Sequence, residues 1–147
     1  MTHPLGWNPM DHECGAAAFP SVRCYLIECN PRTEWFADIF PGKISISDMD
    51  KIVEISGRAL VFEWKRPGGK LTRGQEIMWA RLTRGKMITT FAVNGTPKDM
   101  VVYALRVCWN GKWGKWEECG LLDLRERIVR WKEWALKNPV FTVSVNK

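Results

Sequence analysis

The chain has 147 residues, of which 46% are hydrophobic, long enough to bury one core and short for two ordinary domains. No apolar run approaches the ~20 residues that span a bilayer, and "MTHPLGWNPMDHECG" lacks the basic-then-apolar order of a secretory leader, so a soluble, cytoplasmic protein is expected. The net charge of +6 is unevenly spread: Met1 to Trp64 carries 5 Lys/Arg against 9 Asp/Glu, and Lys65 to Lys147 carries 17 against 7. An acidic half suits metal ions, and a strongly basic half suits a polyanion.

Taken in chain order, residues 1–20 are rich in Pro, Gly and Ala and read as irregular. Five cysteines (Cys14, Cys24, Cys29, Cys108 and Cys119) make an odd number, a poor basis for a disulfide framework. A zinc site on His12, Cys14, Cys24 and Cys29 lacks any Cys-x2-Cys pair, which leaves buried thiols as the better reading. "VRCYLIECNPRTEWFADIF" reads as a helix broken near Pro31 and ending before Pro41-Gly42.

Asp50 to Ile55 and Ala59 to Lys65 are β-rich runs about Ser56-Gly57, a hairpin with a tight turn. Thr72 and Gln75 form a capping-box pair that opens a helix through about Arg84, stopped by Gly85. "MITTFAV" is a strand, closed by Asn94-Gly95. "MVVYALRVCW" and "KWGKWEEC" make a second hairpin about Asn110-Gly111. Leu121, Leu124, Ile128, Trp131 and Ala135 share one stripe of a helix over 121–137, and Val140 to Val145 add a last strand. The order is α-β-β-α-β, then a β-hairpin and helix, with one domain over 1–147.

A two-residue turn at Ser56-Gly57 registers the first hairpin so that Ile52 faces Val61 and Val53 faces Leu60. Asp50 then faces Glu63. Asp50, Glu63 and Lys65 share one face while Leu60, Phe62 and Trp64 take the other, and the apolar content of both faces places the hairpin at the centre of a sheet. Opposed carboxylates normally destabilise a sheet by a few tenths to ~1 kcal/mol. A divalent cation between them would offset that, and Lys65, ~6.6 Å beyond Glu63, could orient a water and stabilise charge on a phosphate. The alternative is an exposed cross-strand salt bridge, with Asp48 opposite Lys65 in the same register.

Asp50, twelve intervening residues and then Glu63-Trp64-Lys65 resembles the Asp…Glu-x-Lys signature of the PD-(D/E)XK nuclease superfamily. Gln75-Glu76-Ile77-Met78-Trp79 resembles the Gln-x3-Tyr element of several of its branches, with Trp79 in place of Tyr. The likeness covers roughly Ile44 to Val93 and is greatest to small stand-alone nucleases of the VRR-NUC type and to phage nucleases of Holliday-junction-resolvase type. Met49 stands where the superfamily's name has Pro. The resemblance implies a restriction-endonuclease-like α/β core with a mixed sheet, over about residues 22–95, and a phage-infected or bacterial cytoplasm. It also implies a bound Mg2+ or Mn2+ held by Asp50 and Glu63, a water assisted by Lys65, and support from Gln75. A further acid is implied from an N-terminal helix, for which Glu34 and Glu28 are the candidates.

Lys65, Arg66, Lys70 and Arg73 surround "RPGGKLTRG", whose glycines let the backbone approach phosphates closely. "RVCWNGKWGKW" interleaves Lys112, Trp113 and Lys115 with further aromatics and cations that could stack bases, although most of the tryptophans are expected beneath the last helix. Arg125, Arg127, Arg130 and Lys132 read as a solvated face. The expected function is hydrolysis of DNA directed by structure rather than base sequence, since nothing resembles a separate specificity module. A homodimer would supply two active sites for a symmetric junction. The competing readings are a nucleic-acid-binding protein of this fold without turnover and a phage-encoded inhibitor that docks a protein.

Overall fold

The computed structural model describes residues 33–42 and 49–140. The chain divides into two compact units, Met1–Ser47 and Asp48–Lys147. In the first, the described segment is a 3-10 helix, Thr33–Ile39, ending before Pro41-Gly42 as expected. His12, Cys14, Cys24, Cys29, Glu28, Asp48 and the strand expected beyond Val140 lie outside the described residues, as does the side chain of Glu34.

The second unit is a mixed α/β structure, the expected class. Its elements are β1 (Lys51–Ile55), β2 (Arg58–Lys65), α1 (Arg73–Leu82), β3 (Ile88–Thr96), a 3-10 turn (Pro97–Asp99), β4 (Val101–Trp109), β5 (Lys112–Trp113), β6 (Glu117–Glu118) and α2 (Leu121–Lys137). Six strands form one sheet in the order β1-β2-β3-β4-β5, with β6 also on β4. Among the described strands only β2 and β3 run parallel, as the intervening helix α1 requires.

The first hairpin has the register that the sequence predicts: Ile52 pairs with Val61 and Val53 with Leu60. Ser56 (φ 50°) and Gly57 (φ 87°) both take the left-handed region, the turn whose twist matches that of the strands it joins. Asn110 (φ 47°) and Gly111 (φ 85°) repeat the device between β4 and β5. One expectation fails here: β1 is an edge strand, with Ile52 56% and Val53 40% exposed. Apolar content reported strand propensity rather than centrality, because the second face of β1 meets no described neighbour.

Alternation along β2 sends Leu60, Phe62 and Trp64 to a core beneath α2, with Phe91, Val93, Leu105, Leu124, Trp131 and Ala135. It sends Val61 to a smaller core beneath α1, with Trp79 and Cys108. On α2 the expected stripe is buried at Leu124, Trp131 and Ala135, whereas Leu121 is 42% exposed because it begins the first turn. No helix among the described residues is long and apolar enough to cross a membrane.

Helix α1 begins as the sequence predicts. Thr72 Oγ1 accepts from the Gln75 N–H (3.1 Å), and Gln75 Oε1 accepts from the Thr72 N–H (3.1 Å). Asn94-Gly95, in contrast, does not close β3: the strand runs on to Thr96, with a register shift between those two residues. The reversal follows at Pro97–Asp99 and Met100 (φ 55°). Gly95 is there for proximity rather than for turning, since a β-carbon on it would fall on the Val101 carbonyl oxygen. Gly95→Ala is therefore expected to lower stability in denaturant by about 3 kcal/mol. Gly114→Ala, whose added carbon would sit 3.5 Å from the Val107 oxygen, should stay within about 1 kcal/mol of the parent.

Candidate active site

Glu63 lies near the end of β2 on the α1 face, 3% exposed and flanked on β3 by Ala92, its register partner. Its Oε1 accepts a hydrogen bond from Trp79 Nε1 at 3.0 Å. Oε2 accepts none among the described residues. Trp79 occupies the Tyr position of the Gln-x3-Tyr likeness, and its indole N–H connects α1 to β2 at the site. Trp79 carries no site role in the sequence motif beyond its place there, although an indole on the buried face of a helix needs an acceptor.

Asp50 lies one residue before β1. Its Oδ2 accepts the Trp64 N–H at 2.6 Å, taking the place of a backbone carbonyl where the β1–β2 ladder ends at Lys51 and Phe62. The charges of Asp50 and Lys65 both act on Glu63. Burial pushes the Glu63 carboxyl above its usual range; the Trp79 hydrogen bond opposes this, Asp50 adds to it and Lys65 opposes it. The three residues that the hairpin register predicts together are thus brought to one end of the sheet, with Asp50 at its exposed margin and Lys65 half-buried.

The loop after Lys65 is fixed from two sides. Gly69 N–H donates to the Arg66 carbonyl at 2.8 Å, closing a turn in which Gly68 takes φ 80°. Asn94, the β3 register partner of Lys65, donates its amide to the carbonyls of Arg66 (3.2 Å) and Gly69 (3.5 Å). A cleft of about 440 Å³ opens beside this loop, lined by Arg66, Pro67, Thr96, Pro97 and Lys98. Lys98 went unremarked in the sequence because only the parallel β2–β3 pairing brings the end of β3 beside Arg66. Lys70 and Arg73 are exposed around the start of α1.

Gln75 reaches the site less directly than the resemblance implies, because its side-chain oxygen is committed to the cap and only its amide nitrogen is left. Lys112, Trp113 and Lys115 are not brought to Glu63. β5 lies three strands from β2, roughly 15 Å away. Trp113 is half-buried against α1, where its Nε1 donates to the Glu76 carbonyl at 2.9 Å and the Arg106 guanidinium lies 5.0 Å from its ring centre. No group of three or more His, Cys, Asp or Glu able to hold a metal occurs among the described residues.

Two carboxylates fit a hard divalent cation that completes its shell with water and phosphate oxygens. Glu63 Oε2 and the second oxygen of Asp50 would be the ligands. What fold and site define is a mixed α/β protein with a buried, helix-tethered carboxylate beside an exposed one and a lysine. No family model, curated protein or solved structure matches the chain.

The raised pKa of Glu63 has a consequence for stability. A carboxyl whose folded pKa exceeds its unfolded value favours the fold at low pH, and that contribution is lost as pH rises through the folded value. Glu63→Gln should therefore raise Tm in EDTA at pH 7, by about 2–5 °C, with the gain shrinking below about pH 4.5. Thermal melts of the two proteins across pH measure this.

Proposed function

We propose that the chain is a metal-dependent nuclease that hydrolyses DNA phosphodiester bonds, with a core of the restriction-endonuclease-like kind. The observation that carries the reading is the buried Glu63 carboxylate, tethered by Trp79 and sharing its end of the sheet with Asp50 and Lys65. The order β-β-α-β, with the Glu-x-Lys strand paired in parallel to the strand that follows α1, supports it, as does the basic loop from Arg66 to Arg73.

Each residue then has a defined task. Asp50 and Glu63 would hold Mg2+ or Mn2+, and that ion would supply Lewis acidity and lower the pKa of a water molecule. Lys65, whose charge acts on Glu63, would orient the attacking water and stabilise negative charge on the phosphate. Attack forms one P–O bond from water and breaks the P–O bond to the leaving sugar oxygen. Trp79 positions Glu63 by fixing one of its carboxylate oxygens. Arg66, Lys70, Arg73 and Lys98 contact phosphates and do not read bases, which suits a substrate chosen by shape.

A second reading draws support from Asp50, whose carboxylate already accepts the Trp64 N–H and can serve as a strand-end cap. In that case the protein binds nucleic acid at this surface without turnover. Incubation with plasmid, linear, flap and four-way-junction DNA separates the two. Under the nuclease reading, Mg2+ or Mn2+ supports cleavage, EDTA abolishes it, and Asp50→Ala and Lys65→Ala each reduce it at least ~100-fold. Cleavage that persists in EDTA, or that neither substitution affects, overturns the assignment. Binding of the same DNAs with no cleavage in any metal establishes the second reading.

A further inference from the structure

The face of the sheet away from Glu63 carries a second cleft, of about 300 Å³, under α2. Its wall is one helical stripe, Arg127, Arg130, Trp131 and Trp134, at spacings of three, four and seven residues. Its floor comes from the register partners Phe91 and Val107, with Trp109 at the end of β4. Three indoles thus surround a space at the small end of the ligand-pocket range, with two guanidinium groups at one margin.

The rings are held rather than loosely packed. Trp131 Nε1 donates to Thr89 Oγ1 at 3.2 Å. Trp109 and Trp134 meet edge to face with centroids 4.8 Å apart. The Arg58 guanidinium lies 4.4 Å from the Trp134 ring centre while donating to the carbonyls of Asn138 (2.6 Å) and Lys86 (2.7 Å). The two marginal arginines, by contrast, are only lightly engaged. Arg127 pairs with Glu117 at 2.7 Å and Arg130 with Glu126 at 3.2 Å, and all four side chains are between 42% and 67% exposed. Exposed pairs of this kind have little net strength, so a phosphate can displace the carboxylates.

We infer that this cleft is a nucleotide-binding site, with a planar base against Trp109, Trp131 and Trp134 and a phosphate on Arg127 and Arg130. The chemistry joins an apolar, aromatic hollow of the size of one nucleotide to a pair of forked cation donors one helical turn apart. A free mononucleotide and the terminal nucleotide of a strand present the same groups. The inference does not depend on the nuclease reading, since no residue is shared with the Glu63 site.

Calorimetric titration in EDTA tests it, using the full chain and its Glu63→Gln variant. The probes are deoxyadenosine monophosphate, deoxyadenosine, inorganic phosphate and a short 5′-phosphorylated oligonucleotide. The monophosphate is expected to saturate below about 1 mM, with the nucleoside and phosphate each at least ~10-fold weaker. Arg130→Glu, at a side chain exposed enough to leave folding intact, should weaken the monophosphate ~10-fold or more and leave the nucleoside unchanged. Trp109→Phe, which keeps an aromatic ring, should weaken both several-fold. If Arg130→Glu weakens the oligonucleotide as much as the monophosphate, the site holds a strand end; an oligonucleotide indifferent to Arg130→Glu identifies a free nucleotide. No binding at 10 mM, inorganic phosphate as tight as the nucleotide, or indifference to Arg130→Glu overturns the inference. Loss of DNA cleavage in Glu63→Gln with nucleotide affinity retained bears on the Glu63 site alone.

Discussion

The hydrogen bond from the Trp79 indole to the Glu63 carboxylate is the interaction on which the α1 side of the molecule depends. A carboxylate this deeply buried is costly to ionise, and without a donor the penalty would grow by about 1–3 kcal/mol. The donor arrives only because α1 starts at the right residue, and that start is fixed by the reciprocal Thr72 and Gln75 hydrogen bonds. The loop leading to the cap is in turn tied to β3 by Asn94. Cap, loop and strand therefore cooperate in aiming one oxygen, and a fault in any of them would be felt at the carboxylate.

The sheet separates two kinds of surface chemistry. Toward α1 it presents charge and a glycine-containing loop, with a small apolar core of Val61, Trp79 and Cys108. Toward α2 it presents the main core and an aromatic hollow margined by arginines. Arg58, at the start of β2, connects the two sides: its guanidinium bonds the carbonyl at the end of α2 and the one before β3 while stacking on Trp134.

Much of this architecture was legible where a local rule fixes a long-range result. Ser56-Gly57 is such a case, because a two-residue turn leaves a single register, and that register placed Glu63 on the face opposite Leu60 and Phe62. The Thr72–Gln75 box is another, since both partners lie within one turn of helix. Illegible were features whose cause is a neighbour distant in sequence. Gly95 looks like a turn glycine, and only the close approach of Val101 explains it. Trp113 looks like an exposed stacking residue within "NGKWGKW", and only the packing of α1 on the sheet covers it. Lys98 and Asn94 carry no motif at all. The nucleotide-sized hollow was hidden likewise, because Arg127 and Arg130 read as a solvated face until β4 brings Trp109 beneath them.

Strand β2 carries two interleaved sets of instructions, odd positions for one layer and even positions for the other. Glu63 and Trp64 are adjacent in the chain yet belong to environments on opposite sides of the sheet. In evolutionary terms such a strand can accept many single substitutions, because each changes one layer at a time. It has no tolerance for a one-residue insertion or deletion, which would exchange the layers and bury Lys65 in the main core. The length of this segment is accordingly under tighter physical constraint than its composition.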